Sequence, residues 1–158
     1  METMHKGQHD GKGHYGRLLL MTLLSFIAMF VLMYAMVDRL ANVYANFNQA
    51  YMAALMAAPM VIIEMALMRA MYPNAKLNVA IVVSAVLVMA LCWLAIRQQS
   101  AITDRQFLRS MIPHHAGAVL MCERNKLEEP ELVRLCQQII SSQKEEIALM
   151  KSKLEEKK

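Results

Sequence analysis

The middle of the chain has very few charged residues. Of the 158 residues 19% are charged, yet the stretch from residue 18 to residue 96 carries only Asp38, Arg39, Glu64, Arg69 and Lys76. This scarcity excludes a soluble fold for that stretch, because soluble domains carry charged side chains on their surfaces. Aromatic residues are also scarce, at 6%, but 57% of the residues are hydrophobic, which excludes a disordered chain and a nucleic-acid-binding arm.

Methionine is the residue in excess. The chain has sixteen, eleven of them between residues 18 and 96. It has no internal repeat, low-complexity linker or glycine-rich phosphate-binding loop. A thioether serves equally as apolar packing and as a soft metal ligand, so only its placement distinguishes the two roles.

Three apolar runs, at about residues 18–37, 50–68 and 79–96, are long enough to cross a hydrocarbon layer of about 30 Å as helices. A signal peptide is the alternative for the first run, although that run is long for an apolar signal region and no small-residue cleavage site follows it. With the N-terminus in the cytoplasm, five basic residues near the runs lie on the cytoplasmic side and four lie outside, which favours this orientation. We therefore expect a multi-pass protein of a bacterial inner membrane, with residues 1–17 as a cytoplasmic tail and the C-terminal domain in the periplasm.

The tail from residue 100 to residue 158 reads as a helical hairpin. Thr103 and Gln106 have the spacing of a capping box, and Pro130 is a favoured first residue for the second helix. Apolar residues recur at helical spacing from Leu132 to Leu154. Two such hairpins would complete a four-helix bundle, so we expect self-association, with packing on the membrane helices as the alternative.

The first tail helix carries a cluster of metal-binding residue types. At about 100° per residue, Met111, His115 and Cys122 fall on one narrow face of this helix. His114 and Met121 lie on its flank, so all five look the same way. Imidazole with thioether or thiolate is a soft donor set, which suits copper(I) above all and zinc as a second possibility. Pro113 leaves the Arg109 carbonyl without its helical donor, which predicts a kink beside the histidines.

The second tail helix offers partners for this cluster. Met150 is a further thioether candidate, and Gln143 and Glu146 could orient an imidazole. Cys136 lies opposite Cys122 in an antiparallel hairpin, where the two could form a disulfide or supply thiolates. Ordinary core packing is the alternative for each methionine, and a solvated carboxylate is the alternative for Glu146.

Glu64 is an unexpected carboxylate within the second apolar run. Together with methionines spaced along the same helix, Glu64 could line a path for ions, and Arg69 could pair with its carboxylate. The residues of this candidate path are Met56, Met60, Glu64 and Met68. The alternative is that these methionines simply face lipid. The N-terminal segment contains three spaced histidines, His5, His9 and His14. They could bind cations weakly, or they could simply be solvated side chains. Cys92 reads as a small packing residue.

The tail resembles the family of domains of unknown function called DUF305. The resemblance covers about residues 103–156 and rests on Met111-Ile-Pro-His-His-Ala-Gly-Ala118-Val-Leu-Met121 and on Gln143-Lys-Glu-Glu146-Ile-Ala-Leu-Met150. It implies a ferritin-like helical bundle and, for some members, periplasmic copper binding and copper tolerance. Many members carry the unit twice, whereas this chain has one copy behind three apolar runs. Cys122 and Cys136 stand where the family pattern usually has alanine.

These observations predict an all-α, membrane-anchored protein that sequesters or hands on copper(I) without catalysis. The expected partners are the lipid bilayer, a second copy of the chain and metal ions, and no nucleic acid. A structural or signalling membrane oligomer is the alternative, as is ion transport through the membrane helices. A di-iron enzyme is disfavoured because the tail lacks a Glu-x-x-His pair.

Overall fold

The computed structural model describes residues 6–157, with side chains from residue 13 onward. This part of the chain is entirely helical and without strands, as the sequence predicts, and its α-helices are α1 (Lys6–Leu32), α2 (Phe47–Leu67), α3 (Ala75–Gln98), α4 (Asp104–Arg124) and α5 (Pro130–Glu156). Short 3-10 segments cover Met33–Met36, Leu40–Asn42 and Arg69–Met71. His5 and the side chain of His9 lie outside the described residues.

The chain forms two compact units. The apolar unit comprises the chain up to Val31 together with Ala50–Ser100, and the hairpin unit comprises Leu32–Gln49 together with Ala101–Lys158. The loop between α1 and α2 therefore belongs to the same unit as the C-terminal hairpin, although more than fifty residues separate them in sequence.

The apolar unit contains helices long and apolar enough to cross a membrane. The three candidate spans are Gly13–Met36, Phe47–Leu67 and Ala75–Gln98. Large aliphatic side chains face outward on these helices, including Leu20, Leu24 and Leu91, all more than half exposed. So much exposed hydrocarbon is unfavourable in water and is compatible with a membrane protein. The first helix begins at Lys6 rather than near residue 18, and the Tyr15 hydroxyl anchors it by donating to Asn78 Oδ1 at 2.6 Å.

Glu64 has a different partner from the one the sequence predicts. The Tyr72 hydroxyl donates to Glu64 Oε1 at 3.2 Å, and no ion pair among the described residues joins Glu64 to Arg69. The 3-10 turn after α2 brings Tyr72 back towards the helix, whereas Arg69 is exposed. A cavity of about 540 Å³ lies among α1, α2 and α3, lined from α2 by Ala54, Ala57, Ala58 and Val61 and not by Glu64 or the methionines Met56, Met60 and Met68.

The hairpin unit packs α4 against α5. Thr103 Oγ1 accepts from the Gln106 backbone N–H at 3.4 Å, and Pro130 occupies the first turn of α5, so both predicted helix starts are confirmed. Its core joins Ile112, Ala116 and Val119 of α4 to Ile147, Met150 and Leu154 of α5.

Ion pairs and a disulfide fix the antiparallel register of the hairpin. Asp104 pairs with Lys157 at 2.7 Å near one end, and Cys122 is bonded to Cys136 near the other. The apolar stripe of α5 is buried only in its C-terminal half. Leu132 and Leu135, in its N-terminal half, are 41% and 49% exposed. With Cys122 opposite Cys136, the first turn of α5, which contains Leu132, extends past the end of α4 at Arg124.

Candidate functional site

The two adjacent histidines of α4 point in different directions. His114 is exposed, whereas the His115 side chain is only 12% exposed and faces α5. Successive residues on an α-helix are rotated by about 100°, so the pair cannot share one narrow face. The ring centroids lie 5.9 Å apart. The expectation that all the candidate ligands of α4 look the same way is therefore wrong for His114 and His115.

His115 meets a carboxylate across the helix interface. Its Nδ1 lies 2.9 Å from Glu146 Oε2, but the approach lacks hydrogen-bond geometry, so this buried nitrogen has no hydrogen-bond partner among the described residues. Burial lowers the pKa of His115 below 6.5; the Glu146 charge opposes this effect and the neighbouring His114 adds to it. The neutral imidazole, which is the metal-binding form, is thereby favoured.

Two of the predicted thioethers lie at this same interface. Met150 is 9% exposed within the hairpin core, and Met111, one helical turn before His115, packs against that core. Gln143 is half-buried on α5, one turn before Glu146. We call the group Met111, His115, Glu146 and Met150 the seam. Its members offer one imidazole, two thioethers and a carboxylate that can orient the ring.

The remaining predicted ligands lie elsewhere. Met121 is 54% exposed on the flank of α4 that also carries His114. Cys122 and Cys136 form a disulfide with their Cα atoms 5.2 Å apart, so in this form neither sulfur is a thiolate ligand. Cys92 is a free, half-buried thiol in α3.

Among the described residues, histidine, cysteine and carboxylate side chains alone do not form a recognisable metal site. Within the described part of the chain, no three of them group closely enough to hold an ion.

Asn46 supports α4 near Pro113 from outside the hairpin. Its side-chain amide donates to the Arg109 carbonyl at 3.4 Å, the acceptor that Pro113 deprives of its helical partner, and it also reaches the Tyr44 carbonyl and Gln49 Oε1 at 3.0 Å. The side-chain oxygen of Asn46 accepts from the Gln49 N–H at 2.9 Å and so caps α2. An Asn before an apolar run signals such a cap, but the bond to Arg109 is non-local and has no sequence signal.

Replacing Asn46 by Ala is expected to destabilise the hairpin unit by about 1–3 kcal/mol, because it leaves the part-buried Arg109 carbonyl without a donor and removes a helix cap. Denaturant unfolding in detergent, followed by circular dichroism, measures this. Gln49→Ala is the matched control, since it removes one acceptor and keeps both structural bonds. Equal losses from the two variants would contradict the account.

The hairpin unit is expected to lose stability on acidification. The folded pKa of His115 lies below the unfolded value of 6.5, so its contribution is complete above about pH 6.5 and declines as the pH falls through the folded pKa. Unfolding free energies at a series of pH values between 7.5 and 5 measure this slope. His115→Gln should flatten it, and a slope that survives this substitution would refute the assignment.

Comparison with known proteins matches residues 90–154 to a family model described as Domain of unknown function (DUF305). The match begins within α3, earlier than the hairpin. The chain is also 34% identical over 101 residues to an uncharacterized protein of Acanthamoeba polyphaga mimivirus, an alignment that covers 63% of this chain and 64% of that relative. The chain thus covers less than two thirds of the relative's length. No solved structure shows a significant match.

Proposed function

We propose that this chain, whose residues 90–154 belong to the DUF305 family, is a non-catalytic, membrane-anchored protein that binds copper(I) at the seam and sequesters it or hands it on. The proposal rests on the environment of His115. Its partly buried imidazole has a pKa lowered by burial, a nitrogen without a hydrogen bond, and the thioether-bearing core beside it.

The donor set favours copper(I) over zinc. Thioethers and a neutral imidazole are soft ligands, whereas zinc sites normally use thiolates, imidazoles and carboxylates in a set of four. The disulfide withdraws Cys122 and Cys136 from such a set. Glu146 Oε2, 2.9 Å from His115 Nδ1, is the group that would orient the ring.

We further propose that the hairpin unit lies on the periplasmic side of a bacterial inner membrane, with the N-terminus in the cytoplasm. Three spans put the α1–α2 loop and the C-terminal tail on the same side, which agrees with their presence in one compact unit. A disulfide is typical of an oxidising compartment such as the periplasm. The basic residues before the first span favour the same orientation.

Self-association is part of this proposal. The hairpin unit exposes large apolar side chains, namely Phe107, Leu132, Leu135 and Leu149. A two-helix hairpin buries little surface alone, and a second hairpin would complete a four-helix bundle. The exposed apolar surface also favours a second candidate function, a structural or signalling oligomer that binds no metal. In that case Met150 is an ordinary core residue of the hairpin.

Metal analysis of protein purified from copper-supplemented cells tests the proposal. We expect at least one copper per chain, lost when His114 and His115 are both replaced by Ala and retained in His14→Ala, a histidine of α1. Copper-free wild-type protein, or equal copper in the double variant, would refute the proposal and favour the structural oligomer.

A further inference from the structure

The 3-10 segment Met33–Met36 packs on α4 beside the histidines. Gly117 is buried, and a Cβ atom added to it would lie 3.4 Å from the Met36 carbonyl oxygen. The absence of a side chain at Gly117 lets the two backbones approach. Both segments belong to the hairpin unit, so Met36 has a defined place on the surface of α4.

Met36 meets α4 between two exposed candidate ligands, His114 and Met121. His114, Gly117 and Met121 fall within an arc of about 60° on α4 when each residue advances by about 100°. His114 is exposed, and Met36 and Met121 are 56% and 54% exposed. Gly117 is one turn after His114 and one turn before Met121, so the Met36 backbone lies beside the turn that separates them.

We propose that Met36, His114 and Met121 form a second soft-metal site, which lies on the surface of the hairpin unit and is separate from the seam. The inference rests on the proposed function in taking copper(I) as the ion. Met36 lies outside the hairpin and outside the segment that matches the family model, so the loop between α1 and α2 contributes a ligand of its own.

The chemistry of the donors defines the ion. Two thioethers and one imidazole are all neutral, so they do not compensate the charge of a divalent cation. A monovalent soft ion, copper(I) or its redox-inert counterpart silver(I), suits this set best. Because all three side chains are exposed, ions can enter and leave without unfolding of the hairpin, whereas His115 and Met150 of the seam are largely buried. An open site of this kind suits ion capture and exchange.

Methionine-methyl NMR with silver(I) tests the open site. Protein labelled with ¹³C at the methionine methyl groups is titrated in detergent, with resonances assigned by single Met→Leu variants. The Met36 and Met121 methyls should shift together with one saturation curve. Met33, half-buried in the same 3-10 segment, is the matched control and should not follow that curve.

Met36→Leu is expected to weaken silver(I) binding at Met121 by about tenfold or more, whereas Met33→Leu leaves it unchanged. Leucine conserves volume at this exposed position, and a thermal melt verifies folding. If Met121 shifts in wild-type protein but Met36 does not, Met36 is a surface or lipid-facing methionine only, and the open site is refuted while the seam stands. If no methionine or histidine responds, the proposed function fails as well.

Discussion

Replacing Cys122 and Cys136 together by Ser is expected to lower the free energy of unfolding of the hairpin unit by about 3 kcal/mol. The disulfide spans a sequence separation of 14 residues, and closing a loop of that size restricts the unfolded chain by about this amount. Two helices with a small shared core have little else to hold them together. Denaturant unfolding monitored by circular dichroism measures the loss, and Cys92→Ser, at the free thiol of α3, is the matched control.

The same variant separates a structural disulfide from a thiolate metal site. If the sulfurs only connect the helices, folded double-Ser protein keeps its copper(I) affinity at the seam within a few-fold. Reduction of wild-type protein should likewise weaken the fold. A double-Ser variant as stable as wild type, or one that loses copper while still folded, would contradict the structural role.

Replacing His115 by Ala is expected to lower copper(I) affinity at the seam by about a hundredfold or more, because His115 supplies its only imidazole. Glu146→Gln should cost about tenfold, since the amide keeps the shape of the carboxylate but orients the ring less strongly. Titration against a competing copper(I) chelator at pH 7.5 measures both, and Glu145→Gln, an exposed neighbour, is the control. An unchanged copper(I) affinity in His115→Ala would refute the seam as the binding site.

Affinity should also fall with pH, because copper(I) binds the neutral imidazole. Burial lowers the pKa of His115 below 6.5, so binding at the seam should persist to a lower pH than for a solvated histidine. A titration midpoint for seam binding above pH 6.5 would contradict this assignment.

Local signals predicted the helices well. The Thr103–Gln106 cap and Pro130 located the starts of α4 and α5, and the lack of charge located the three long apolar helices. These features depend on neighbours within one or two turns, so a single sequence contains them. The family resemblance, carried by the His114-His115 motif and its flanking methionines, is also confirmed.

Long-range contacts decide the site, and a single sequence does not show them. Which of His114 and His115 is buried depends on where α5 packs, and that follows from the register that Cys122 and Cys136 fix. The support of Asn46 for the Arg109 carbonyl and the approach of Met36 to Gly117 join residues more than sixty positions apart. Periodicity put Met111 and His115 on one face of α4 and His114 and Met121 on its flank, and packing against α5 covers that face while it leaves the flank exposed.

The copper K-edge X-ray absorption spectrum of the copper(I)-loaded protein, with its disulfide intact, tests the central claim most directly. The account predicts a mixed first shell of thioether sulfur and imidazole nitrogen, with the imidazole contribution reduced in His115→Ala. A shell of nitrogen and oxygen alone, or a spectrum unchanged by that substitution, would contradict it.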